Sequence, residues 1–177
     1  MWQKIKSFFC KKDPFIKTHE PVTKVDTLDD LKRKCHGLFP LSTIVLANNL
    51  GIKVYSTKEF DRTIAGSITK QNGKFIIYVN ESEFQPTVRF VVMYAIVMIL
   101  EHKNILDECD EYFIMKKLSI AKNIDVIKTV LELLMPEEAF EECWNKASEI
   151  EDVTNTFKIS KSIAAVRSYN LFGEMFL

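Results

Sequence analysis

Arg89-Phe90-Val91-Val92-Met93-Tyr94-Ala95-Ile96-Val97-Met98-Ile99-Leu100-Glu101-His102 has no charged side chain between Arg89 and Glu101. At helical periodicity the run from Phe90 to Leu100 is apolar on every side, the pattern of a helix enclosed by the rest of its domain. It is too short to cross a bilayer, which takes about 20 residues. Within it, Val91, Tyr94, Ala95, Met98 and His102 share one face at i, i+3, i+4 spacing.

On the N-terminal side, Ile64 to Lys70 and Lys74 to Asn80 flank Gln71-Asn72-Gly73. Asn-Gly is a preferred pair for a tight hairpin turn, and this spacing sets Ile68 opposite Ile77 and Ser67 opposite Tyr78. Ile68, Phe75, Ile77 and Val79 then face the core, with Ser67, Thr69, Ile76 and Tyr78 on the other side. Further upstream, Thr27 predicts an N-cap for a helix beginning at Leu28. A second helix from about Leu41 to Leu50 is expected to stop at Gly51, before a strand over Ile52 to Tyr55.

Downstream of the apolar run, Asp107, Glu108, Asp110 and Glu111 read as an acidic loop around Cys109. A long helix over about Leu118 to Leu134 follows, then another opening after Pro136, whose Glu137 and Glu138 suit the positive end of a helix dipole. A short last helix is expected near Ser160 to Tyr169. The chain divides into a basic, aromatic segment over 1–25, a domain over 26–150 and a small helical tail over 151–177.

Twenty-four basic and 24 acidic residues leave the chain of 177 neutral, so any nucleic-acid contact would have to come from a local patch. Its 13 Phe and 47% hydrophobic content supply a real core. Cys10, Cys35, Cys109 and Cys143 form no C-x-x-C pair and no signal peptide precedes them, which predicts reduced thiols in a cytoplasmic protein. Trp2, Ile5, Phe8 and Phe9 with Lys4, Lys6, Lys11 and Lys12 suggest a terminal helix docked on the domain, in preference to one lying on a membrane surface.

Four pieces carry a resemblance: Ala47-Asn48-Asn49-Leu50-Gly51-Ile52-Lys53-Val54-Tyr55, the Asn-Gly hairpin ending Ile76-Ile77-Tyr78-Val79-Asn80, Arg89-Phe90, and Leu133-Leu134-Met135-Pro136-Glu137-Glu138-Ala139-Phe140. In this order they resemble the ImmA/IrrE family of small metallopeptidases found with phage and mobile-element repressors. The resemblance covers roughly residues 40 to 172. It implies an α+β fold: a mainly helical, zincin-like domain with a small antiparallel sheet, strand plus hairpin, packed on a central buried helix.

The same resemblance locates the family's zinc motif on the apolar helix, with Tyr94 and Met98 at the positions of the two histidines and Ala95 at that of the glutamate base. The third, acidic ligand would fall at Asn123, with Asp125 the nearest carboxylate. Zinc hydrolysis needs about three protein ligands and an open position. A phenol titrating near pH 10, a thioether and a methyl group do not supply them. His19, His36 and His102 are isolated from one another, so neither a metal nor another cofactor is expected.

The expectation is therefore an inactive metallopeptidase-like regulator or inhibitor that works by binding protein, encoded by a phage or mobile element. Its partner would be a helix-turn-helix repressor or a host defence protein. The candidate groove is Ser67, Thr69, Ile76, Tyr78, Val91, Tyr94 and Met98, with a filled core as the competing outcome for the helix face. The tail resembles the family's small helix-turn-helix-like ending, where Lys158, Lys161 and Arg167 form a candidate DNA patch, disfavoured by its few charges. A peptidase with unusual ligands is the enzymatic alternative.

Overall fold

The computed structural model describes residues 6–7, 25–37, 39–116 and 124–173. Thr27 caps the first helix, α1 (Leu28–Cys35), its hydroxyl accepting from the Asp30 amide at 3.2 Å. Helix α2 (Thr43–Asn49) ends as expected at Gly51, whose φ of +73° belongs to the left-handed region. Strand β2 (Lys53–Thr57) leaves directly from that turn.

Strands β3 (Ile64–Gln71) and β4 (Lys74–Asn80) form the Asn-Gly hairpin in the expected register, Ile68 opposite Ile77 and Ser67 opposite Tyr78. Asn72 and Gly73 both have positive φ, 51° and 74°, as a type I′ turn requires. Ile68, Ile77 and Val79 are buried, whereas Phe75 is half-buried beneath the Lys70 ammonium, 5.5 Å from its ring centre.

The fold class holds, but three details of the sheet differ from the sequence reading. With β1 at Lys6–Ser7 and β5 at Glu111–Met115, its order is β1-β2-β4-β3-β5, and β2 runs parallel to β4, so the sheet is mixed and not antiparallel throughout. The hairpin's second strand takes the centre, and β2 reaches it only after a crossover. The second difference is β5 (Glu111–Met115), antiparallel to β3, where an acidic loop was expected. Its acidic residues are used locally. Asp107 pairs with Lys70 at 2.5 Å, and Glu111 accepts from the Ser67 hydroxyl at 2.5 Å. At the far edge, Lys6–Ser7 (β1) pairs with Tyr55 and Ser56, which replaces the expected helix at those two positions. The rest of the N-terminal segment, with Trp2, Phe8, Phe9 and Cys10, lies outside the described residues.

The apolar run forms α3 (Gln85–Glu101), buried without interruption from Val88 to Met98. It lies against the sheet, and Gly66 sets the closeness of that approach. A Cβ added there would sit 2.6 Å from the Tyr78 carbonyl oxygen and 2.8 Å from Val91 Cγ1. Because the first of these is backbone, Gly66→Ala should cost about 1–3 kcal/mol through forced displacement of strand and helix. A denaturation midpoint equal to the parent's would show the contact to be compliant.

After α4 (Lys103–Asp107) and β5, α5 (Ile124–Leu134) packs on α3, and Leu133, Leu134 and Met135 are all buried. The expected start of α5 near Leu118 falls outside the described residues. Pro136 then precedes α6 (Glu137–Lys146). The tail contains two helices: α7 (Ile150–Phe157), and α8 (Lys161–Phe172), capped by Ser160. They are joined to the same core. The Phe140 ring centre lies 5.6 Å from Trp144, 5.8 Å from Phe157 and 6.2 Å from Phe172. No helix among the described residues is long and apolar enough to cross a membrane.

Candidate functional site

The face of α3 expected to line a groove is sealed. Val91 is 1% exposed, Tyr94 and Ala95 are 0%, and Met98 is 2%. A helix apolar on all sides attracts cover on all sides, and β5, missing from the sequence reading, contributes part of that cover. The Tyr94 phenol meets the Tyr112 phenol of β5 at 3.4 Å, and its ring lies 6.4 Å from that of Phe90. Burial, reinforced by Tyr112, drives the Tyr94 pKa well above its usual 10.0.

The expected groove is also split by the sheet. Gly66 and Ile68 face α3, so Ser67 and Thr69 point to the opposite side, and Tyr78 and Ile76 go with them as their pairing partners. Ser67 and Tyr78 are buried there, while Thr69 and Ile76 are half-buried. The structure therefore does not bring these four residues together with Val91, Tyr94 and Met98.

The donor set does not fit zinc. Tyr94 is held protonated, Ala95 has no ligand atom, and Met98 offers only a soft sulfur. Asp125 is exposed in the first turn of α5, and Asn123 lies outside the described residues. Among the described residues no three His, Cys, Asp or Glu side chains come close enough to hold a metal ion. His102, at the junction of α3 and α4, donates its backbone N–H to the Met98 carbonyl at 2.9 Å, and its buried Nε2 has no hydrogen-bond partner among the described residues. Cys35 is buried, and burial pushes its thiol up to about 11, away from the reactive thiolate.

The tail gives DNA no patch of the expected kind. Lys161 pairs with Glu151, Lys158 sits in the left-handed turn after α7, and Arg167 is only 5% exposed. Arg167 points inwards because α8 packs on the domain, so the basic residues do not share an outer face.

What remains open among the described residues is the β5 edge of the sheet. Among the described residues, strand β5 pairs with β3 alone. It carries Phe113 and Met115, 45% and 41% exposed, and Phe60 meets Phe113 edge-on with centres 6.2 Å apart. Just past β5, Lys116 forms an ion pair with Glu83, next to Phe84, which is 80% exposed. On the adjoining outer face Tyr55 and Tyr78 have ring centres 5.8 Å apart. Sequence reasoning missed this region because β5 was read as loop. The signal available was Tyr112-Phe113-Ile114, a β-branched residue beside two aromatics.

A family model of the IrrE N-terminal-like domain, described as a peptidase family, matches residues 47–169. No curated protein matches the chain.

Proposed function

Because the chain belongs to the family of metallopeptidase-like IrrE N-terminal-like domains, we propose that it uses that scaffold to bind a protein rather than to cut one. The observation that carries this reading is the apolar edge at β5, which no other strand among the described residues pairs with. Main-chain donors and acceptors there can pair with an extended segment, and Phe113 and Met115 offer side-chain contact to it. Support for the loss of hydrolysis comes from α3, where the residues that the resemblance sets at the catalytic motif, Tyr94, Ala95 and Met98, are all closed to solvent.

The partner that fits the family setting is a helix-turn-helix repressor, or a host defence protein held as an inhibitor would hold it. The protein is then a regulator acting in the cytoplasm of a bacterium that carries a phage or mobile element. The test mixes the purified full chain, with zinc supplied, with a purified helix-turn-helix repressor. A stable complex with both chains intact is expected, and Phe113→Asp with Met115→Asp should weaken it about tenfold or more, as loss of central apolar contacts does. Cleavage of the repressor, or one bound zinc per chain, would restore the peptidase reading. Unchanged affinity in the double variant would move the interface away from β5.

A further inference from the structure

The pairing of the hairpin fixes which main-chain groups β5 leaves over. Gln71 and Lys74 flank the turn, so they exchange both main-chain bonds, and the exchange recurs at every second pair. Thr69 and Ser67 therefore bond to β4. Ile68 and Gly66 turn their N–H and C=O the other way, to Tyr112 and Ile114 of β5. Lys116 keeps the same phase, its N–H donating to the Thr63 carbonyl at 2.8 Å. Glu111, Phe113 and Met115 then aim their N–H and C=O away from β3. No strand among the described residues takes them up.

The side chains of these residues also share a face. Phe113 lies opposite Ser67, on the side of the sheet away from α3, and Glu111 and Met115 go with it. The ends of the strand differ in charge. Asp110, exposed, and Glu111 stand at its start. Lys116 stands at its end, where it pairs with Glu83 and keeps ammonium hydrogens for a second acceptor. A strand complementary to this edge is basic where β5 is acidic, acidic where β5 is basic, and apolar between. Another β5, run in the opposite direction, meets that description.

Twofold pairing leaves little choice of register. Opposed residues share a face, so the axis falls at a self-paired residue. Centred on Phe113, the pairing sets Phe113 against its copy, Glu111 against Met115 and Asp110 against Lys116. The outward main-chain groups of Glu111, Phe113 and Met115 are then all bonded. Centred on Ile114, Glu111 falls beyond the end of the copied strand and Lys116 meets Tyr112.

We infer that two copies of this chain associate through β5, antiparallel and centred on Phe113, into one continuous sheet. The Phe113 rings meet beside the Phe60 that each already touches, and Asp110–Lys116 ion pairs close both ends. The contact is isologous and uses up the edge of each copy, so it stops at two. Five residues of strand are a small contact beside the roughly 1,200 Å² of a stable interface, so the dimer forms at high concentration only. A partner bound at β5 displaces the copy. The dimer needs that edge to be open, as the partner reading does, but it needs no partner.

The test is sedimentation equilibrium of the full chain alone, in reductant, up to millimolar concentration. A monomer–dimer equilibrium is expected. Asp110→Lys, on the surface, turns attraction into repulsion at both ends and should weaken the dimer about tenfold. Phe113→Asp should abolish it. Without reductant, Phe113→Cys should give a covalent dimer absent from the parent, since paired Cα atoms there lie about 5.5 Å apart, within disulfide reach. Met115→Cys, which lies opposite Glu111, should not. A chain that stays monomeric overturns the proposal, as does a dimer indifferent to Asp110→Lys, or Met115→Cys cross-linking as fast as Phe113→Cys. Each of these can fail while the repressor complex forms, and the complex can fail while the dimer forms.

Discussion

Ile96→Asp should unfold this protein. Ile96 is 0% exposed in the middle of α3, and the sheet, α2 and α5 pack around that helix, so the new carboxylate would have no water and no cation. An unpaired buried charge costs several kcal/mol or more, comparable with the whole stability of about 5–15 kcal/mol expected of a domain. Val92→Asp, also at 0%, should behave in the same way. The measurement is circular dichroism through a thermal ramp. A cooperative transition in both variants would mean that α3 is not the centre of the fold.

Met98→Ala should cost about 2–5 kcal/mol, because a flexible side chain filling a closed space leaves a cavity when truncated. Met98 is 2% exposed, so an open groove is not what this residue lines. The loss should show as a lower denaturant midpoint with an unchanged slope, and affinity for a partner bound at β5 should stay as in the parent. Weaker binding without loss of stability would reverse the assignment and return the α3 face to function.

These two results separate what the sequence could and could not say. An apolar run from Phe90 to Leu100 announces a central helix because no other soluble setting suits it. The same run cannot say whether Tyr94 and Met98 face a cleft or a neighbour, since either setting accepts an aromatic ring and a thioether. The hairpin was legible to the residue because Asn72-Gly73 admits one turn geometry, and the turn fixes every pair beyond it. Strand β5 was not, because Glu111-Tyr112-Phe113-Ile114-Met115 follows an acidic run and alternates in no clear way. With β5 missing, neither the lid over Tyr94 nor the open edge could be placed.

The unpaired edge at β5 also bears on how the protein behaves when alone in solution. An edge left without a neighbour among the described residues, with Phe113 and Met115 exposed, can template a second copy of itself as readily as it pairs with a partner. Opposing growth beyond such a pair are features at its two ends. Glu111 opens the strand with a carboxylate, Lys116 follows it with an ammonium, and the strand is only five residues long. Short length and flanking charge are the means by which edge strands avoid aggregation while remaining able to bind. Neutralising Glu111 or Lys116 would therefore be felt first as lost solubility during expression, before any change in the folded monomer.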